Sequence, residues 1–85
     1  MMRADYDSSA NAISIVIAEG AHADQSDEVH ARAIVALADG RPVEVQVLYP
    51  DMGLTEPLLA VAERYELDRE ALQAAALRPA AICWL

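Results

Sequence analysis

Two histidines and three carboxylates fall within nine residues of one another: His22, Asp24, Asp27, Glu28 and His30. Imidazole nitrogens and carboxylate oxygens are the donor set that Zn²⁺, Ni²⁺ or Mn²⁺ accepts. Their spacing matches no established metal motif, and a loop must lose conformational entropy to close around an ion. The plain alternative is a solvated acidic loop that happens to carry two histidines. Acid–base chemistry has candidates in Asp5, Asp7 and Glu44. A catalytic pair must converge in a pocket, however, and a thin sheet offers little room for one. Turn and edge duty accounts better for Asp5, Asp7, Asp39 and Asp51. The single thiol, Cys83, has no basic neighbour in sequence nearer than Arg78 to favour the thiolate. The sequence therefore assigns no catalytic residue and implies no cofactor.

Composition narrows the function classes. The net charge is −8, there is no lysine, and all six basic residues are arginine. A nucleic-acid partner would require a basic patch, and an anionic membrane surface would require the same. Neither is expected. One cysteine cannot form an internal disulfide, which suits a reducing cytoplasm. No stretch reads as a signal peptide or a membrane span. The chain is 55% hydrophobic, but much of that is alanine, with one tryptophan and no phenylalanine. Eighty-five residues of this composition build one domain with a thin core of Ile, Val and Leu. Small sheets of this kind gain stability from helix cover or from dimerisation.

The elements that would hold these residues are organised around His30–Tyr49, two apolar runs joined by Asp39-Gly40. Asp-Gly between β-rich runs is a strong hairpin signal. A two-residue turn would put Ile34 and Ala36 on the face of Val43, Val45 and Val47. A three-residue loop over Ala38-Asp39-Gly40 would put Val35 and Leu37 there instead, and the apolar pattern favours that register. Before this hairpin, Ile13, Ile15 and Ile17 alternate at period two, predicting a strand over Ala12–Ala18 paired with Met2–Tyr6. Tyr6 is expected to fold over the end near the turn. Gly20–Glu28 is polar, without period, and reads as a mobile loop between the hairpins.

From Thr55 the period becomes helical. Thr55 suits an N-cap, and Leu58, Val61, Ala62 and Tyr65 recur on one stripe. Asp68 is a second N-cap before a helix running to about Arg78, with Leu72, Ala75, Ala76 and Leu77 turned inward and Pro79 as its stop. Its few arginines make a helix-turn-helix reader improbable. The expected fold is α+β: a four-stranded antiparallel meander of two hairpins to residue 52, then two short helices over 55–78 packed on one face. An apolar tail over 79–85 is expected to dock on the sheet or on a neighbouring subunit.

Tyr6-Asp7, Asn11-Ala12 and the strand Ile13–Ile17 are followed by the acidic loop, then by Ala33–Leu37, Asp39-Gly40 and Val43-Glu44-Val45 to Leu48. In these features, over Arg3–Met52, the chain resembles the DUF2283 family of small bacterial proteins, which has no assigned function. Asn11 stands where Asp is usual, and the apolar ending differs from the family's polar one. Some members look to be encoded beside toxin-like proteins, so the resemblance implies an antitoxin-like or regulatory partner-binding role and supplies no functional residue.

The function expected from these features is a non-enzymatic protein-interaction module. It would form a homodimer through the sheet face left open by the helices or through an edge strand, using Val16 and Ile34, with Trp84 and Leu85 of the tail. A toxin-like protein is the expected further partner. The alternative is a small-ligand or divalent-metal domain using the 20–30 loop.

Overall fold

The computed structural model describes residues 3–18, 20–77 and 81–83. Five antiparallel strands form the sheet: β1 (Arg3–Asp7), β2 (Ala12–Val16), β3 (Gln25–His30), β4 (Ala33–Ala38) and β5 (Arg41–Leu48). Two helices follow, α1 (Thr55–Tyr65) and α2 (Arg69–Leu77). A sixth strand, β6 (Ala81–Cys83), then pairs parallel to β1. The spatial order is β3-β4-β5-β2-β1-β6.

Three features depart from the four-stranded meander, the parallel strand β6 being the first. The segment expected to be a loop contains β3, because its pairing comes from the backbone and not from an apolar face. Furthermore, β2 pairs with β5 and not with its successor in sequence, so the sheet is a hairpin sewn to a three-stranded meander.

Asp39 and Gly40 both take left-handed backbone, with φ of 54° and 75°. That is the geometry of a two-residue primed turn, whose twist matches the strands it joins. Ala38 lies opposite Arg41 accordingly, and the three-residue loop is not formed. The register then shifts between Ala36 and Leu37, leaving Val43 as an extra residue in β5. The bulge does what the longer loop was expected to do: it sets Val35 opposite Val45 and Ala33 opposite Val47. All four are fully buried.

The core lies between this face and the helices. Ile13, Ile15, Val35, Val45 and Val47 meet Leu58, Val61 and Ala62 from α1 and Leu72 and Ala76 from α2. The first helix lies over β3, β4 and β5, and the second over β1 and β2. The predicted stripe on α1 is therefore the buried one, with Tyr65 half-buried at its end. Thr55 is the first helical residue and not the cap, a position held by Leu54 without any side-chain bond. Asp68 does cap α2, its Oδ1 accepting from the Glu70 and Ala71 amides at 3.0 and 3.3 Å. Leu77 points outward, 65% exposed, because it falls a residue past the Leu72–Ala76 stripe. Of the tail, Ala81–Cys83 pairs along the sheet edge, Ala81 opposite Asp5 and Cys83 opposite Asp7. Arg78, Pro79, Trp84 and Leu85 lie outside the described residues.

Candidate functional site

The five residues of the metal hypothesis are dispersed by the strand that runs through them. His22 and Asp24 precede β3, both exposed. Asp27 lies opposite Val35 and so faces the helices, where its Oδ2 accepts from Tyr65 Oη at 2.6 Å and Arg64 Nε at 2.7 Å. The Tyr65 hydrogen bond foremost, with Arg64 adding to it, holds the Asp27 carboxyl below its ordinary range against a smaller opposing effect of burial. The phenol is in turn pushed up, chiefly by donating to that carboxylate. Glu28 lies opposite Ile34 on the other face. His30 Nδ1 accepts the Arg32 amide at 3.1 Å, which occupies one of its two ring nitrogens with the β3–β4 turn. Among the described residues, no three His, Cys, Asp or Glu side chains gather as a metal site would require.

The same turn carries Arg32, whose guanidinium donates to the Tyr49 carbonyl at 2.9 Å and the Gly53 carbonyl at 3.0 Å. It thereby fixes the left-handed corner at Tyr49, between β5 and α1. At that end Tyr6 Oη donates to Asn11 Oδ1, and Asn11 Nδ2 donates to Asp51 Oδ1, each at 3.0 Å. Tyr6 thus does reach the turn as expected. Asp7 is a turn residue: one of its oxygens accepts the Ser9 amide, the Ser9 hydroxyl and the Ala10 amide. Those bonds, led by the hydroxyl, lower its pKa.

What remains is the face of the sheet opposite the helices. Strand register puts Val16, Glu44 and Ala36 in one row across β2, β5 and β4, and Ser14, Gln46 and Ile34 in the next. Ala12 and Leu48 form a third. Apolar and polar side chains thus alternate over three central strands, most of them half-buried. At the hairpin end of this face the loop residues 18 and 20–23 stand beside the sheet, held where the Ile17 and Ala18 amides donate to the Val43 carbonyl and the Asp24 amide to the Leu37 carbonyl. Between loop and sheet lies a cleft of about 340 Å³, with His22 and Glu44 among its walls. The sequence placed these two residues in unrelated hypotheses, and only the loop's path back over the sheet brings them together. No alternation or motif marks that path.

Among the described residues, no helix is long and apolar enough to cross a membrane. No family model, curated protein or solved structure matches the chain.

Proposed function

We propose that this protein is a non-enzymatic interaction module that self-associates as a homodimer through the open face of its sheet. The observation that carries this reading is the one-sided cover: α1 and α2 both pack on the Ile15–Val45 face. Val16, Ile34 and Leu48 stand on the other, half-buried, with no helix of the described residues packed over them, Val16 sharing a cleft with residues 20–23. Apolar surface removed from water contributes about 25 cal/mol per Å². Ser14 and Gln46, interleaved with these residues, can hydrogen-bond across a two-fold axis. A second copy is self-complementary to that alternation. Asp5, Glu28 and Glu44 on the same face repel across such an axis, so screening by salt should strengthen the association. The antitoxin-like role that the DUF2283 resemblance suggests would add a protein partner, met by the dimer in the cytoplasm.

Sedimentation equilibrium at micromolar concentration is the test. The expected result is a species of twice the 9.2 kDa chain mass, converted to monomer by Ile34→Asp. A parent protein that sediments at the chain mass overturns the reading.

A further inference from the structure

The geometry points to the corner between β5 and α1 as the anchor of self-association: Tyr49 and Met52 pack against a second copy of this chain, an inference that rests on the homodimer proposed above. Tyr49 lies at φ 50° and ψ 60°, left-handed backbone that glycine and asparagine enter readily and a bulky side chain does not. Such a residue persists only where its surroundings over-determine it. Here they do. The Tyr49 amide donates to the Asn11 carbonyl at 2.8 Å, and its own carbonyl accepts from the Met52 amide and from Arg32 Nη1, each at 2.9 Å. Arg32 Nη1 also donates to the Gly53 carbonyl at 3.0 Å. All of these bonds use backbone groups of the corner, so glycine or asparagine at position 49 would keep them. The tyrosine side chain recovers little of the strain within its own chain, because the residue is 51% exposed. Met52, three positions on, is 68% exposed. The fold accounts for the corner and not for the tyrosine.

Position and size single out a second copy as the occupant. The corner borders the open face, since Tyr49 follows Leu48 of the Ala12–Leu48 row and its amide carries the pairing on to Asn11. Residues 20–23 stand beside the opposite end, next to Val16 and Glu44. The unobstructed rows are therefore those of Ile34 and Leu48, on the side of the corner. The face by itself is also small. Six strands about 4.8 Å apart and about five residues long present roughly 400–500 Å². A standard stable interface takes about 800 Å² from each partner. An exposed tyrosine and methionine at the border of the face supply apolar contact that the face lacks. Tyrosine is among the residue types that carry most of the energy of such interfaces, and its two side-chain torsions cost little entropy to fix.

Sedimentation equilibrium of the full chain and its variants is the first half of the test. Tyr49→Asn and Met52→Ser should each weaken the dimer by about tenfold or more, as truncating an anchor residue does. Leu59→Ser, on α1 and 40% exposed, should leave it unchanged. Thermal melting is the second half, and its sign is opposite. In the monomerising background Ile34→Asp, adding Tyr49→Asn should raise the melting temperature, because asparagine enters left-handed backbone with less strain. A tyrosine that serves the fold of its own chain would lower it on removal, and that result overturns the inference. So does a dimer as tight in Tyr49→Asn and Met52→Ser as in the parent, which leaves the open-face dimer standing. A loss as large in Leu59→Ser overturns it too. A dimer that survives Ile34→Asp and dissociates in both corner variants removes the open face and keeps the corner. A parent that sediments at the chain mass overturns both.

Discussion

Asp27 shows how far a residue's type can mislead about its work. Its carboxylate, grouped in sequence with two histidines, is committed to Tyr65 and Arg64, which lie 38 and 37 positions further along the chain. Nothing local announces those partners, so the bond that fixes β3 beneath α1 was not legible. The pKa direction makes it measurable. The folded carboxyl titrates below its ordinary value of 3.8 because it accepts from Tyr65 and Arg64. A depressed acid stabilises the fold above its unfolded pKa and loses that contribution as pH falls through the folded one. Asp27→Asn should therefore melt at a lower temperature than the parent at pH 7. Its melting temperature should also fall less steeply between about pH 5 and pH 2. Parallel curves for the two proteins would show that the bond contributes nothing. His30 and Asp7 follow the same lesson, since backbone groups of nearby turns occupy them.

At the scale of elements, periodicity read the buried parts well and the edge badly. Ile13 and Ile15, Val45 and Val47, and Leu58 and Val61 are core residues that their spacing had already marked. Strand β3 escaped because Gln25-Ser26-Asp27-Glu28 offers no apolar alternation. An outermost strand needs only backbone pairing on one side, and here its helix-facing position holds a carboxylate. The hairpin turn was legible in composition but not in length. Alternation specified that Val35 joins Val45, and two geometries satisfy it, a longer loop or a tight turn with a bulge at Val43. The chain uses the second. Gly40 sits at φ 75° in that turn with nothing within 4 Å of where a Cβ would stand. Gly40→Ala should thus cost only backbone strain, about 1–2 kcal/mol, without a steric clash. Urea denaturation is the check: the midpoint should drop at constant slope. A variant as stable as the parent would place the turn's preference elsewhere.

The whole molecule joins a hairpin roofed by α2 to a meander roofed by α1, along the seam of β2 and β5. Strand order of this kind was not readable, because Ala12–Val16 has no sequence signal naming Glu44–Leu48 as its neighbour. The α+β class and the one-sided helix cover were readable from the change of period at Thr55. The tail was expected to dock over the sheet or on a second subunit; its described residues, Ala81–Cys83, extend the sheet as a parallel strand beside β1 instead. Three residues of β6 cover the outer side of β1 and satisfy part of its backbone. Removing Ala80–Leu85 should lower the melting temperature while leaving the β3–β5 amides as protected from hydrogen exchange as before. A truncated chain that melts as the parent does would make the strand dispensable.

The opposite border of the sheet governs how the protein behaves as a colloid. Strand β3 is outermost there, kinked by the register shift between Glu28 and His30 and flanked by the carboxylates of Asp27 and Glu28. A bent, negatively charged strand is a poor template for a second sheet. That protection is made of protonatable groups in a chain whose isoelectric point is about 4.4. At that pH the molecule's mutual repulsion is gone, but the Asp27 carboxyl, held below its ordinary range by the Tyr65 hydrogen bond, still charges the border. Material that comes out of solution near that pH should therefore be amorphous, and growth strand upon strand should wait for acid strong enough to protonate Asp27.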